Sequence, residues 1–223
     1  MIAQKLMLIP LMLFSAACSA GLCESGRRQS PIDITATKRQ SLPALMFDYP
    51  APALKIANDG RTVRVRFGPG NQLQIGTERY ALQQFHFHTP GGERIAGEEF
   101  PMVAHLLHKS RSGQLLAVAV HFRIGAESPL LDTLMPIIPA KADGDHALTG
   151  VVMHASALLP PQRGYYRFAG SLTATPCTEG VDWLVLKQPL ELSAAQLARY
   201  RKLFVDNIRA PQPLHQRVVL ESK

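Results

Sequence analysis

No stretch of this 223-residue chain is long and apolar enough to cross a bilayer, and no internal repeat or low-complexity segment breaks it up. Charged residues are scarce, at 18% against 46% hydrophobic, which excludes a disordered chain and points to a packed globule. Basic runs are also missing. The net charge is +7, but lysines and arginines are scattered, with nothing longer than pairs such as Arg27-Arg28 and Arg201-Lys202. A nucleic-acid binder would show a basic stripe with stacking aromatics, so no nucleic-acid partner is expected. No shift of composition marks a domain boundary, and one domain of ordinary size accounts for the length.

The N-terminus, "MIAQKLMLIPLMLFSAACSAGLC", has Lys5, then an apolar run from Leu6 to Phe14 broken by Pro10, then small residues. This is the pattern of a secretory signal. The expectation is a leader over residues 1–20, a domain over 21–223 and a periplasmic or secreted location. Lipidation at Cys18 after Ser15-Ala16-Ala17 and a buried N-terminal helix are the alternatives. Export would leave two cysteines, Cys23 and Cys177, in an oxidising compartment. A bond between them would close a very long loop, worth roughly 4–5 kcal/mol in the chain-entropy model; two unpaired buried thiols are the alternative.

Short runs recur between turn signals: "LKIAND", "TVRVRFG", "QLQIG", "QQFHFHT", "VAHLLHK", "LLAVAVHFRIG", "WLVLK" and "QRVVL". Their alternating or β-branched character predicts strands, and "KSRSGQ" predicts a hairpin turn. Helical signals are few. "SPLLDTLMP" offers Ser128 as N-cap and Pro129 at the first helical position, and Ser193 with Gln196 forms a capping-box pattern ahead of Leu197, Tyr200 and Phe204. The fold class is mainly β with a few short helices.

Residues 83–110 hold four of the eight histidines. On a strand, His86 and His88 share a face with Gln84, while Phe85 and Phe87 point the other way. In "PMVAHLLHK", Val103, His105 and Leu107 share one face, and His108 lies on the other. His105 can therefore meet the pair. Three imidazoles without a fourth protein ligand make the arrangement of a catalytic zinc with one open position. Zinc brings bound water to a pKa of about 7, and Gln84 is placed to accept the second ring proton of a ligand.

"QSPIDI" (29–34), "QFHFHTP" (84–90), "FPMVAHLLH" (100–108), "GSLTATPCTEGVDWLVLK" (170–187) and "NIRAPQPLHQR" (207–217) together closely resemble the α-class carbonic anhydrases, in the family's order. The resemblance runs from Cys23 to the end. It implies a single domain on a large twisted, mostly antiparallel sheet with zinc in a conical cleft, and a lyase activity: reversible hydration of carbon dioxide to bicarbonate and a proton by zinc-bound hydroxide. It implies that His86, His88 and His105 are the zinc ligands and that Thr173 orients the hydroxide. Leu107, Val118, Leu172, Val181 and Trp183 match the apolar wall for carbon dioxide. Cys23 and Cys177 match a disulfide of exported relatives.

The sequence also departs from the family pattern. "TPGGER" puts Gly92 where a glutamate would receive the threonine's proton, and Glu93 comes one residue late. A shift in the glycine-rich loop would bring Glu93 to Thr173; otherwise Glu93 faces the surface. Arg61 stands at the proton-shuttle position, where a guanidinium cannot relay protons. Val103 stands where a carboxylate would support His105, and the usual aromatic-rich segment before Cys23 is absent. The expectation is a slowed hydratase that depends on imidazole-type buffer. A zinc-binding periplasmic protein with negligible hydration, and a metal-free structural domain, are the competing readings.

Overall fold

The computed structural model describes residues 20–223 apart from Asp143 and Asp206. Cys18 and nearly all of the expected leader lie outside the described residues. Among the described residues the fold is one large mixed sheet with a few short helices, as the sequence predicts.

Six strands build the functional part, labelled β1 (Val63–Phe67), β2 (Glu78–His88), β3 (Met102–Ser110), β4 (Leu115–Ile124), β5 (Tyr165–Ser171) and β6 (Glu179–Leu186). Their order across the sheet is β1-β2-β3-β4-β6-β5, extended by Ala53–Asn58 beyond β1 and by Leu220–Ser222 and Lys38–Gln40 beyond β5. Neighbours run antiparallel except β4 with β6, which are parallel. "QRVVL" enters a strand only at Leu220, and the β5 strand gave no clear signal in the sequence.

Apolar residues pack on both faces of this sheet. Phe85, Phe87, Leu106, Leu116 and Val118 point to the larger core, which the helices Pro129–Leu134 and Ala194–Arg201 cover with Leu131, Leu134, Leu197 and Tyr200. Both helices begin as the sequence dictates. Ser128 caps the first with Pro129 following, and Ser193 and Gln196 close a reciprocal capping box on the second. The opposite face carries a smaller cluster around Val103, Ala117, Val181 and Trp183.

A bulge in β2 decides which face the histidines take. Tyr80 and Leu82, at even positions, lie in the larger core, as do Phe85 and Phe87 at odd positions. The register shifts between Leu82 and Gln84, so the extra residue reverses the alternation. Without it, His86 and His88 would point into the larger core.

His108 does lie in that core, fully buried, sharing a 2.6 Å hydrogen bond with the Tyr49 hydroxyl. Burial pushes its imidazole down to about 3, from 6.5 when unperturbed. Between those values the unfolded chain binds a proton that the folded chain refuses, so stability falls as pH drops below 6.5 and stops falling near 3. Going from pH 7 to pH 5, this one group should cost about 2 kcal/mol. Urea unfolding of His108→Gln should show a flatter pH dependence than the parent by that amount; parallel curves would contradict the assignment.

Candidate metal centre

The β2–β3 register pairs His86 directly with His105, and His88 with Val103. The three imidazoles therefore meet on one face of two adjacent strands, and one ring nitrogen from each lies within 4.8 Å of the others. Each ring's remaining nitrogen is held from behind. His86 Nδ1 lies 3.0 Å from Gln84 Oε1, and His88 Nδ1 donates to the Asn207 carbonyl at 2.8 Å. His105 Nε2 lies 3.0 Å from Glu93 Oε2.

These partners set the tautomers. A carbonyl only accepts, so His88 Nδ1 carries the proton and Nε2 keeps a bare lone pair. The Gln84 oxygen imposes the same state on His86. The two Nε2 atoms then face each other at 3.1 Å, lone pair to lone pair. That contact is repulsive in a neutral site and favourable around a cation. Two nitrogens bound tetrahedrally at 2.0–2.1 Å would stand about 3.3 Å apart, close to the observed separation. With Nε2 of His105 engaged by Glu93, Nδ1 completes the set.

Electrostatics keep the His86 and His88 rings neutral. Burial, reinforced by the neighbouring imidazoles and by Arg64, pulls His86 well below 6.5. Burial, with His105 adding to it, brings His88 down to about 4. Neutral imidazole is the form that binds metal. Glu93 points the same way: it is fully buried, and its Oε1 has no hydrogen-bond partner among the described residues. Burial alone raises its carboxyl, but the facing His105 ring, with His121 behind it, holds it below the ordinary carboxylate value. A buried carboxylate with one unsatisfied oxygen is costly unless positive charge lies near. The donor set thus fits a metal ion such as zinc, which Nε2 of His86 and His88 and Nδ1 of His105 could hold.

The histidines line a cavity of about 550 Å³. Leu107, Ala117, Leu172 and Trp183 form its apolar side, and Thr173 stands beside them. Asp59, Arg61, Arg64 and Asn207 form the polar side. Trp183 is fixed by its indole N–H, which donates to the Ser171 carbonyl at 2.9 Å, and its ring centroid lies 4.8 Å from that of His105.

Three expectations from the sequence need correcting. Val118 does not line the cavity. It pairs with Leu106 and points into the larger core, while Ala117 pairs with Leu107 and Trp183 and supplies the wall. Val181 is buried beside Trp183 in the smaller cluster, not on the cavity wall. Glu93 neither reaches Thr173 nor faces solvent. Its bond goes to His105, so His105 does have a supporting carboxylate despite Val103, and no hydrogen bond joins Thr173 to Glu93 among the described residues. A side chain at Gly92 would require Ile208 to move, since a Cβ there would sit 2.4 Å from Ile208 Cδ1 and 3.0 Å from Pro31 Cγ.

Sequence reasoning missed Asn207, whose carbonyl holds His88 and whose side-chain oxygen accepts from the Thr89 amide at 2.8 Å; the "NIR" run was its only signal. Cys23 and Cys177 are disulfide-bonded across 154 positions of sequence.

One mixed sheet carrying three converging imidazoles beneath a half-apolar cavity defines a sheet-borne three-histidine site. Residues 17–223 match the family model for eukaryotic-type carbonic anhydrase. The chain is 40% identical over 202 residues to a carbonic anhydrase of Neisseria gonorrhoeae, covering 90% of this chain and 79% of the relative. It is 39% identical over 201 residues to one of Pectobacterium carotovorum, covering 89% and 82%. Among solved structures, the Photobacterium profundum alpha-carbonic anhydrase superposes with a TM-score of 0.86 at 38% identity, over 91% of this chain and 93% of that one. The chain belongs to the carbonic anhydrase family.

Proposed function

We propose that this chain is an exported zinc enzyme that reversibly hydrates carbon dioxide to bicarbonate and a proton. The observation that carries the reading is the convergence of three imidazole lone pairs on a cavity with an apolar wall. When bound, zinc supplies a Lewis-acidic centre that makes water a nucleophile near neutral pH. Gln84, Asn207 and Glu93 hold the three rings in their metal-binding tautomers. Leu107, Ala117, Leu172 and Trp183 offer an apolar resting place to a substrate that has no charge to bind. The Cys23–Cys177 disulfide supports the exported assignment, with residues 1–20 as the leader and 21–223 as the enzyme. No helix among the described residues is long and apolar enough to cross a membrane.

Two features slow the reaction. The Thr173 hydroxyl, on the cavity, has no hydrogen-bond partner among the described residues, so none of them fixes its orientation. Arg61 lines the cavity where a proton must leave, and a guanidinium does not relay protons. Stopped-flow hydration should therefore accelerate with added imidazole-type buffer, and Arg61→His should weaken that dependence. Rates indifferent to buffer would contradict the role given to Arg61. The unpartnered Thr173 also favours a second reading, a zinc binder without hydratase activity. Zinc-loaded protein that stays inactive even in concentrated buffer would establish it.

A further inference from the structure

We propose that Glu93 is the positioning residue of the third imidazole, its carboxylate delivered by the turn after β2 to hold His105 Nε2 and so turn Nδ1 toward His86 and His88. The proposal rests on the zinc reading and adds to it which residue orients the third ligand, and from where. Strand neighbours cannot do this. Val103, two residues before His105 on the same face of β3, is buried and apolar.

The turn is built to bring the carboxylate in. The Gly91 amide donates to the Phe100 carbonyl at 2.7 Å. Gly92 packs against Ile208 and Pro31 so closely that only glycine fits without displacing them. The Glu93 carbonyl accepts from His121 Nε2 at 3.0 Å, and the His121 ring stacks on Phe100 with centroids 4.1 Å apart. Backbone and side chain of Glu93 are thus fixed separately. His121 sits opposite Val103 across β3 and β4, and neither Glu93 nor His121 lines the cavity.

A carboxylate used only as a structural pin makes little energetic sense here. Glu93 is wholly buried, one of its oxygens has no partner among the described residues, and a well-packed apolar side chain would serve packing as well or better. Fixing a ligand's tautomer and ring orientation is a task that does need a carboxylate, and losing such a partner typically weakens metal binding about 10–100-fold.

Zinc affinity, measured by competition against a chromophoric chelator, tests the proposal without relying on turnover. Glu93→Ala should weaken zinc binding about 10–100-fold, and Glu93→Gln, which keeps the shape and can still accept the ring proton, should lose less. Adding Val103→Glu to Glu93→Ala should recover most of the loss, because position 103 shares the face of His105. Adding the neutral Val103→Leu should recover none. Full affinity in both Glu93 variants overturns the proposal. So does equal behaviour of the two position-103 variants, whether both recover or neither does, since that would make the loss one of packing. Parent protein that takes up no zinc would instead bring down the metal reading itself, and this proposal with it.

Discussion

Replacing His88 with alanine is expected to abolish stoichiometric zinc binding and to lower carbon dioxide hydration by about a thousandfold or more. The size follows from what the metal does to water, whose pKa falls from 15.7 to about 7 on zinc; without it almost no hydroxide is present near neutrality. The fold should survive, because His88 lies on the face away from the larger core and pairs across the sheet with Val103 through backbone bonds. Circular dichroism and urea unfolding of zinc-free samples check this point. His86→Ala should behave alike. An alanine variant at either position that kept hydration near the parent rate would remove the metal from the chemistry.

The second large effect concerns the cavity wall. Ala117 lies between Leu107 and Trp183 on the histidine face, so Ala117→Phe puts a ring where an uncharged substrate would rest. The expected result is a fall in kcat/KM of at least about 100-fold with zinc content unchanged, since displacement of a reactant by about an ångström costs that much. Val118→Ala provides the contrast. Val118 points into the larger core, so its truncation should lower stability and leave kcat/KM close to the parent value. If Val118→Ala impaired turnover and Ala117→Phe did not, the wall would have been assigned to the wrong face of β4.

That one-residue distinction shows where the sequence stopped being readable. Alternation in "TVRVRFG" and "QFHFH" reports a strand's faces because the two faces differ chemically. β4 is buried on both faces through most of its length, so "LLAVAVHF" carries no alternation, and a slip of one residue leaves no trace. Only pairing with β3 and β6 settles it. The histidine trio was legible because two members are two apart and the third follows on the next predicted strand. The bulge in β2 was not, because a single extra residue between Leu82 and Gln84 looks like ordinary strand sequence. Helix starts at Ser128 and Ser193 were legible from local chemistry alone. The destination of Glu93 depends on Phe100, His121 and Ile208, which all lie outside the motif, and no reading of "TPGGER" supplies them.

Loss and return of activity with zinc, followed on one sample, test the central claim most directly. Purified protein should contain one zinc per chain, lose zinc and hydration together on dialysis against dipicolinate, and regain both in proportion as zinc is titrated back to one equivalent. Hydration that persists after the zinc is gone, or zinc restored to one equivalent without hydration in concentrated imidazole-type buffer, would contradict it.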